Sequence, residues 1–247
     1  MSIFTADIGW FLVLALLAEF IGTIGGFGSS LLFVPIASYF FDFHTALGIT
    51  ASFHVLSNLT KIALFKKGFH KNLVIWMGIP AVISVSVGAF LSKYIYTAWL
   101  EYALGAFLLL TAFLFFIKPK NEVEPSKAYA FSGGLLSGFI AGLIGTGGAI
   151  RGLVLSAFAL ETNAFIATSA LIDLGIDGSR TAVYLYNGYI QFDMLYLLLP
   201  LLVISFIGTY LGKKVLDKLP QLYFKKLVLL LIMATGVSML VKAWLNQ

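Results

Sequence analysis

Gly22-Thr-Ile-Gly25-Gly26-Phe-Gly28-Ser29-Ser30 is a run of glycines in the middle of an apolar segment, and it has a partner in Gly142-Leu-Ile-Gly145-Thr-Gly147-Gly148-Ala-Ile150. Glycine costs a helix interior roughly 1 kcal/mol per residue, so each run marks a place where a membrane helix breaks. The runs lie 120 residues apart. The same offset carries Gly22, Gly25 and Gly28 to Gly142, Gly145 and Gly148, then Gly68 to Gly188, Pro80 to Pro200, Gly88 to Gly208 and Lys93 to Lys213. A gapless register dominated by glycine and proline marks shared backbone features, and the chain reads as two copies of one unit.

Composition fixes the class. The 247 residues are 60% hydrophobic and only 11% charged, with a mean hydropathy of +0.98, which a soluble surface could not carry. This is an all-α integral membrane protein, with the lipid bilayer as its surroundings. The formal net charge of +5 sits in short loops, where membrane topology explains it and no nucleic-acid partner is needed. The chain has no cysteine, which excludes disulfides, thiolate metal sites and thiol nucleophiles. Neither a metal nor a cofactor is expected. Met1 to Trp10 contains Asp7 and no Lys or Arg where a signal peptide has its positive region, so the first apolar segment is expected to be retained.

Six segments read as full spans, at 45–65, 73–92, 99–117, 163–186, 192–212 and 222–244, each about long enough to cross ~30 Å of hydrocarbon. The glycine-centred segments 8–41 and 128–160 are too long for one helix, and their second arms would rise only about 20 Å. They read as helical hairpins that enter and leave on one side. On that reading Lys66, Lys67, Lys71, Lys118, Lys120, Lys127, Lys213, Lys214, Lys218, Lys225 and Lys226 share one face of the membrane, and Lys93 and Lys242 take the other. That asymmetry is what the positive-inside bias favours. A hairpin plus three spans reverses direction, so unit 1 (1–117) and unit 2 (128–247) are inverted repeats joined by a cytoplasmic linker at 118–127. Both termini then lie outside the cytoplasm, in the cell's inner membrane.

Inverted repeats with broken helices are the build of secondary transporters. Exposed N–H groups at the start of a half-helix attract anions, so Gly25, Gly26, Gly28, Ser29, Ser30, Gly145, Gly147 and Gly148 are candidate substrate-binding residues. The alternative is that the glycines only let helices pack closely, as Gly134 and Gly138 do.

The glycine run Gly22 to Pro35 in the first unit, its counterpart Gly142 to Leu155 in the second, the hairpin-plus-three-span unit and the length together resemble the TauE/SafE sulfite exporter family. The second run departs from the pattern, since it lacks the proline and carries Arg151 where an apolar residue is expected. The resemblance implies transport of small sulfur-containing anions such as sulfite or organosulfonates.

Six ionisable residues lie at membrane depth, where each costs about 2.5 to 3.5 kcal/mol on insertion scales and needs a reason: Glu19, Lys61, Arg151, Asp173, Asp177 and Arg180. Thr50, His54, Asn58 and Lys61 share one helix face, and Ser169, Asp173, Asp177 and Arg180 repeat it at an offset of 119. Asn58, Arg151 and Arg180 join the substrate-binding candidates. Arg151 is the leading one, because a guanidinium can grip two oxygens of a sulfonate. Its bland alternative is a salt bridge to Asp173 or Asp177. For Asp177 and Arg180 the bland alternative is an ion pair three residues apart. His54, Asp173 and Asp177 are the proton-coupling candidates, two carboxylates one turn apart being unable to ionise independently. Glu19 is open between a cap and a partner for Lys61, while Lys61 is close enough to the surface to snorkel.

The leading function is a non-enzymatic secondary transporter of a small anion, proton-coupled through these residues. No nucleotide-binding loop is present. The alternatives are a passive anion channel, a membrane scaffold, and an intramembrane hydrolase suggested by Ser29, Ser30 and His54. A homodimer is compatible with the sequence.

Overall fold

The computed structural model describes residues 2–26, 28–65, 68–117, 125–216 and 221–245. Lys66, Lys67, Lys118, Lys120, Lys218, Phe27 and most of the linker lie outside the described residues, as do the side chains of Lys225 and Lys226.

Among the described residues every regular element is helical. The first unit comprises α1 (Ser2–Gly25), α2 (Ser30–Phe40), α3 (Phe43–Leu64), α4 (Lys71–Tyr94) and α5 (Thr97–Ile117). The second comprises α6 (Lys127–Ile144), α7 (Gly148–Ser156), α8 (Thr162–Tyr186), α9 (Leu198–Leu216) and α10 (Gln221–Leu245). A π turn at Val74–Gly78 lies within α4. The chain breaks where the glycine runs fall. Gly26 and Gly28 take φ of 73° and 85°, and Gly145 takes 84°, left-handed values that glycine reaches without a Cβ penalty. Beyond each break the chain restarts as a short helix, of 11 residues in α2 and 9 in α7, about 17 and 14 Å long.

Among the described residues, six helices are long and apolar enough to cross a membrane: Asp7–Gly25, Lys71–Tyr94, Thr97–Ile117, Lys127–Ile144, Leu198–Leu216 and Val228–Leu245. The set differs from the sequence reading in two ways. The first arms α1 and α6 qualify by themselves, whereas α3 and α8 drop out because their polar stripes lower their hydropathy. Those two helices pack on each other at the centre, so they need not satisfy the lipid on every side. A smaller difference is that the expected span 192–212 starts late. Residues Phe192–Leu197 form a 3-10 turn and α9 begins at Leu198, placing Pro200 in its first turn, where a missing N–H costs nothing.

Close helix contacts run through glycine. On α6, Gly134, Gly138 and Gly142 recur every four residues, and a methyl group at each would collide with the carbonyl oxygens of Met77, Ala81 and Val85 on α4. Gly88 of α4 meets Phe139 of α6 in the same way. On α9, Gly208 and Gly212 sit against Glu19, Phe20 and Thr23 of α1. Small residues at this spacing let two backbones approach in a bilayer, where lipid supplies no hydrophobic drive. Gly142 is therefore a packing glycine, although it opens the second run.

Most of the main packing partners exchange when the two units are swapped. The α1–α9 pair becomes α6–α4, α3–α9 becomes α8–α4 and α1–α2 becomes α6–α7, while α3–α8 and α5–α10 join equivalent helices. The far end of α2 is tied to α10 and α5 by Lys242, which pairs with Glu101 at 2.7 Å and donates to Ser38 O at 2.5 Å.

Candidate functional site

The two turns that end α1 and α6 meet. Ser30 Oγ is 3.0 Å from Thr146 Oγ1, joining the start of α2 to the turn before α7, and Gly28 lies beside the Arg151 guanidinium. Neither short helix has a side chain capping its first N–H groups. Behind the turns stand α3 and α8, whose polar faces look at each other. Asn58 Nδ2 donates to Asp177 Oδ2 at 2.7 Å, so positions related by the 119-residue offset bond directly across the interface.

Each charged residue at this depth has a partner. Glu19 is fully buried and pairs with Lys61 at 2.9 Å, while Thr23, Ser57 and Thr209 donate to its Oε1 and Ser29 donates to Oε2. Lys61 also donates to Ser57, so its ammonium turns inward; the short distance to the surface suggested snorkelling, but a buried carboxylate outcompetes it. Arg151 Nε donates to Ser169 at 2.9 Å and Nη1 pairs with Asp173. Arg180 Nε pairs with Asp177 at 2.7 Å, and Nη1 donates to Gly145 O at 2.6 Å. Tyr184, one turn further on, donates to Gly142 O at 2.6 Å. Arg180 and Tyr184 thus satisfy carbonyls that the end of α6 leaves without helical partners.

Two small adjoining cavities open here. Gly28, Asn58, Lys61 and Asp173 line both; Arg151, Arg180, His54 and Asp177 line the second. Of the residues singled out in the sequence, Gly26, Ser30, Gly145, Gly147 and Gly148 also reach these walls. Gly25 closes α1, and Ser29 faces Glu19 and His54. Among the described residues no group of three or more His, Asp or Glu side chains is placed to hold a metal ion.

Several supporting groups escaped sequence reasoning. Ser57, Thr146 and Thr209 carry no periodic signal, since each matters through a contact with a distant helix. Tyr184 could have been found, because it continues the Asp177–Arg180 face by one turn.

The Ser29, His54 and Glu19 cluster also bears on hydrolysis. In a hydrolase triad the histidine stands between nucleophile and carboxylate. Here the serine stands in the middle, and Ser29 is fully buried. The order is wrong for activating a nucleophile.

A multi-pass helical protein whose broken helices converge on a buried, charged cavity defines the class of membrane transporters. The family model for the sulfite exporter TauE/SafE matches residues 11–239, and the chain belongs to that family. It is 24% identical over 243 residues to the "Probable membrane transporter protein YdhB" of Bacillus subtilis (strain 168), an alignment covering 93% of this chain and 98% of that protein. No solved structure matches the chain.

Proposed function

We propose that the protein is a secondary transporter that carries a small anion, a sulfur-containing oxyanion or organosulfonate such as sulfite, across the cytoplasmic membrane. The observation that carries this reading is the line of three buried cations, Lys61, Arg151 and Arg180, on one cavity between the glycine turns. A buried cation lined up on a cavity and countered by a carboxylate that an incoming anion can replace is a means of reversible anion binding.

Arg151 is the gripping residue. Its guanidinium offers a two-pronged fork, and Asp173 occupies part of it. An oxyanion must compete with that carboxylate. Protonating Asp173 removes the competitor, so anion and proton bind together and the cavity remains close to neutral. Asn58 holds Asp177, which keeps Arg180 on the end of α6. The bias of the loop lysines toward one face supports the inverted arrangement, with both termini outside and the 118–127 linker in the cytoplasm.

The test is uptake of sulfite and of a small alkylsulfonate into liposomes containing the purified protein, with a pH-sensitive dye trapped inside. Saturable anion flux accompanied by a pH change is expected, with Arg151→Lys weakening binding less than Arg151→Leu. Flux that rises without saturation marks a channel instead. A folded Arg151→Leu protein that carries the anion as well as the parent does refutes the role given to Arg151.

A further inference from the structure

A second cluster of polar side chains, distinct from the Asp173–Arg151 pair, joins Glu19 and Ser29 of the first glycine-broken segment to His54 of α3. Ser29 Oγ lies 2.5 Å from Glu19 Oε2 and 2.8 Å from His54 Nε2, and His54 Nδ1 lies 2.7 Å from Thr50 O. A carbonyl oxygen only accepts, so Nδ1 carries a hydrogen. Ser29 has one hydrogen to give. If it goes to Glu19, then Nε2 must donate to Ser29 Oγ, and His54 is an imidazolium facing a carboxylate. If it goes to Nε2, then Glu19 must donate to Oγ, as a carboxylic acid beside a neutral imidazole. A carboxylate with a neutral imidazole would leave one of the two contacts as lone pair against lone pair at hydrogen-bond distance.

We infer that Glu19, Ser29 and His54 form a proton-binding relay that holds one exchangeable proton and passes it between carboxylate and imidazole through the serine hydroxyl. In the transfer the His54 Nε2–H bond breaks as a bond to Ser29 Oγ forms, and the Ser29 O–H bond breaks as a bond to Glu19 Oε2 forms. One proton moves and nothing is oxidised or reduced. Ser29 sits at the start of α2, where a serine commonly caps its own helix, yet it makes no cap here; its hydroxyl serves the relay.

The surrounding charges give the proton a purpose. Lys61 faces Glu19, and His54 shares the cavity wall with Lys61, Arg151, Asp173, Asp177 and Arg180. Lys61, Arg151 and Arg180 are matched by Glu19, Asp173 and Asp177, so the relay proton leaves the site one positive charge to the good, which a monoanion neutralises. His54 also corresponds to Asp173 at the 119-residue offset, and each abuts the first turn of its own unit's short helix, at Ser29 and at Arg151. The purpose rests on the transporter reading; the existence of the relay does not.

The test uses the full chain in detergent micelles, with ¹⁵N-histidine resonance spectra assigned through His54→Gln and infrared carboxyl bands assigned through Glu19→Gln. In the parent, the His54 ring signal and the Glu19 carboxyl band should change together, at one shared midpoint, as pH is raised and the relay empties. Ser29→Ala should split that midpoint in two, and Ser29→Thr, which keeps a hydroxyl, should preserve it. A Glu19 carboxylate beside a neutral His54 throughout the titration overturns the relay, as does a Ser29→Ala protein whose His54 titration is unmoved. A relay that titrates as described in a protein carrying no anion would sink the transporter reading and leave the relay standing.

Discussion

Glu19 gathers four hydroxyl groups and one ammonium, from α1 itself, the first turn, α3 and α9. Removing its charge strands Lys61 in a site where it is 6% exposed. Glu19→Gln is therefore expected to destabilise the fold by about 3 to 5 kcal/mol, the scale for breaking one side of a buried ion pair. Thr209→Val, which removes one hydrogen bond to a charged acceptor, should cost about 1.5 to 3 kcal/mol. Thermal unfolding of the purified protein in detergent checks both, and a Thr209→Val protein less stable than Glu19→Gln reverses the ranking. A further pair tests Arg151: if its link to Asp173 is the main reason that Asp173→Asn destabilises, then adding Arg151→Leu to Asp173→Asn should recover stability. The sequence singled out Glu19, Lys61, Arg151, Asp173, Asp177 and Arg180, because a charge in an apolar segment demands a reason, but it passed over Glu101, which is also buried. It offered the pairs Glu19–Lys61, Arg151–Asp173 and Asp177–Arg180 only as alternatives to other roles, and the structure forms all three. Lys61 is within a few residues of the surface, and only the folding of α1 against α3 brings Glu19 to it.

At the scale of elements, the α4–α6 contact is a ladder of glycines on carbonyl oxygens, and its backbones have no side chain that could yield. Gly138→Ala is expected to push the helices apart and cost about 1 to 3 kcal/mol, as overpacking does. Gly178→Ala, on α8, is the control: nothing lies within 4 Å of a methyl group there, so removing an interior helix glycine should be neutral or add about 1 kcal/mol. Melting temperatures of the two variants decide it, and equal losses would remove the distinction. The glycine breaks were legible because conformational cost is a local property. The late start of α9 was less so, since the hydrophobic run extends upstream of the proline that permits the helix.

At the scale of the molecule, the lysine asymmetry predicts where each loop lies. The chain has no cysteine, so single cysteines can be placed without first removing any. A cysteine in the 118–127 linker should stay unlabelled by an impermeant maleimide added to intact cells, and one near either terminus should react. Labelling of the linker from outside would falsify the inverted arrangement. The two-unit reading rests on the 120-residue register of backbone-determining residues. The cavity was not legible in the sequence, because it is made by the mutual approach of helices that lie far apart in the chain.

The α1–α9 contact has a consequence for how the protein is made. Thr209 follows Glu19 by 190 residues, so the ribosome delivers α1 to the membrane long before its main packing partner exists. Over a shorter interval, α4 likewise waits for α6. A nascent chain halted after α5 keeps Glu19 at membrane depth without the hydrogen bond that Thr209 of α9 later supplies. Synthesis must carry the first half through this unfinished interval, making the translocation machinery, or whatever else shelters a half-built bundle, a participant in its assembly.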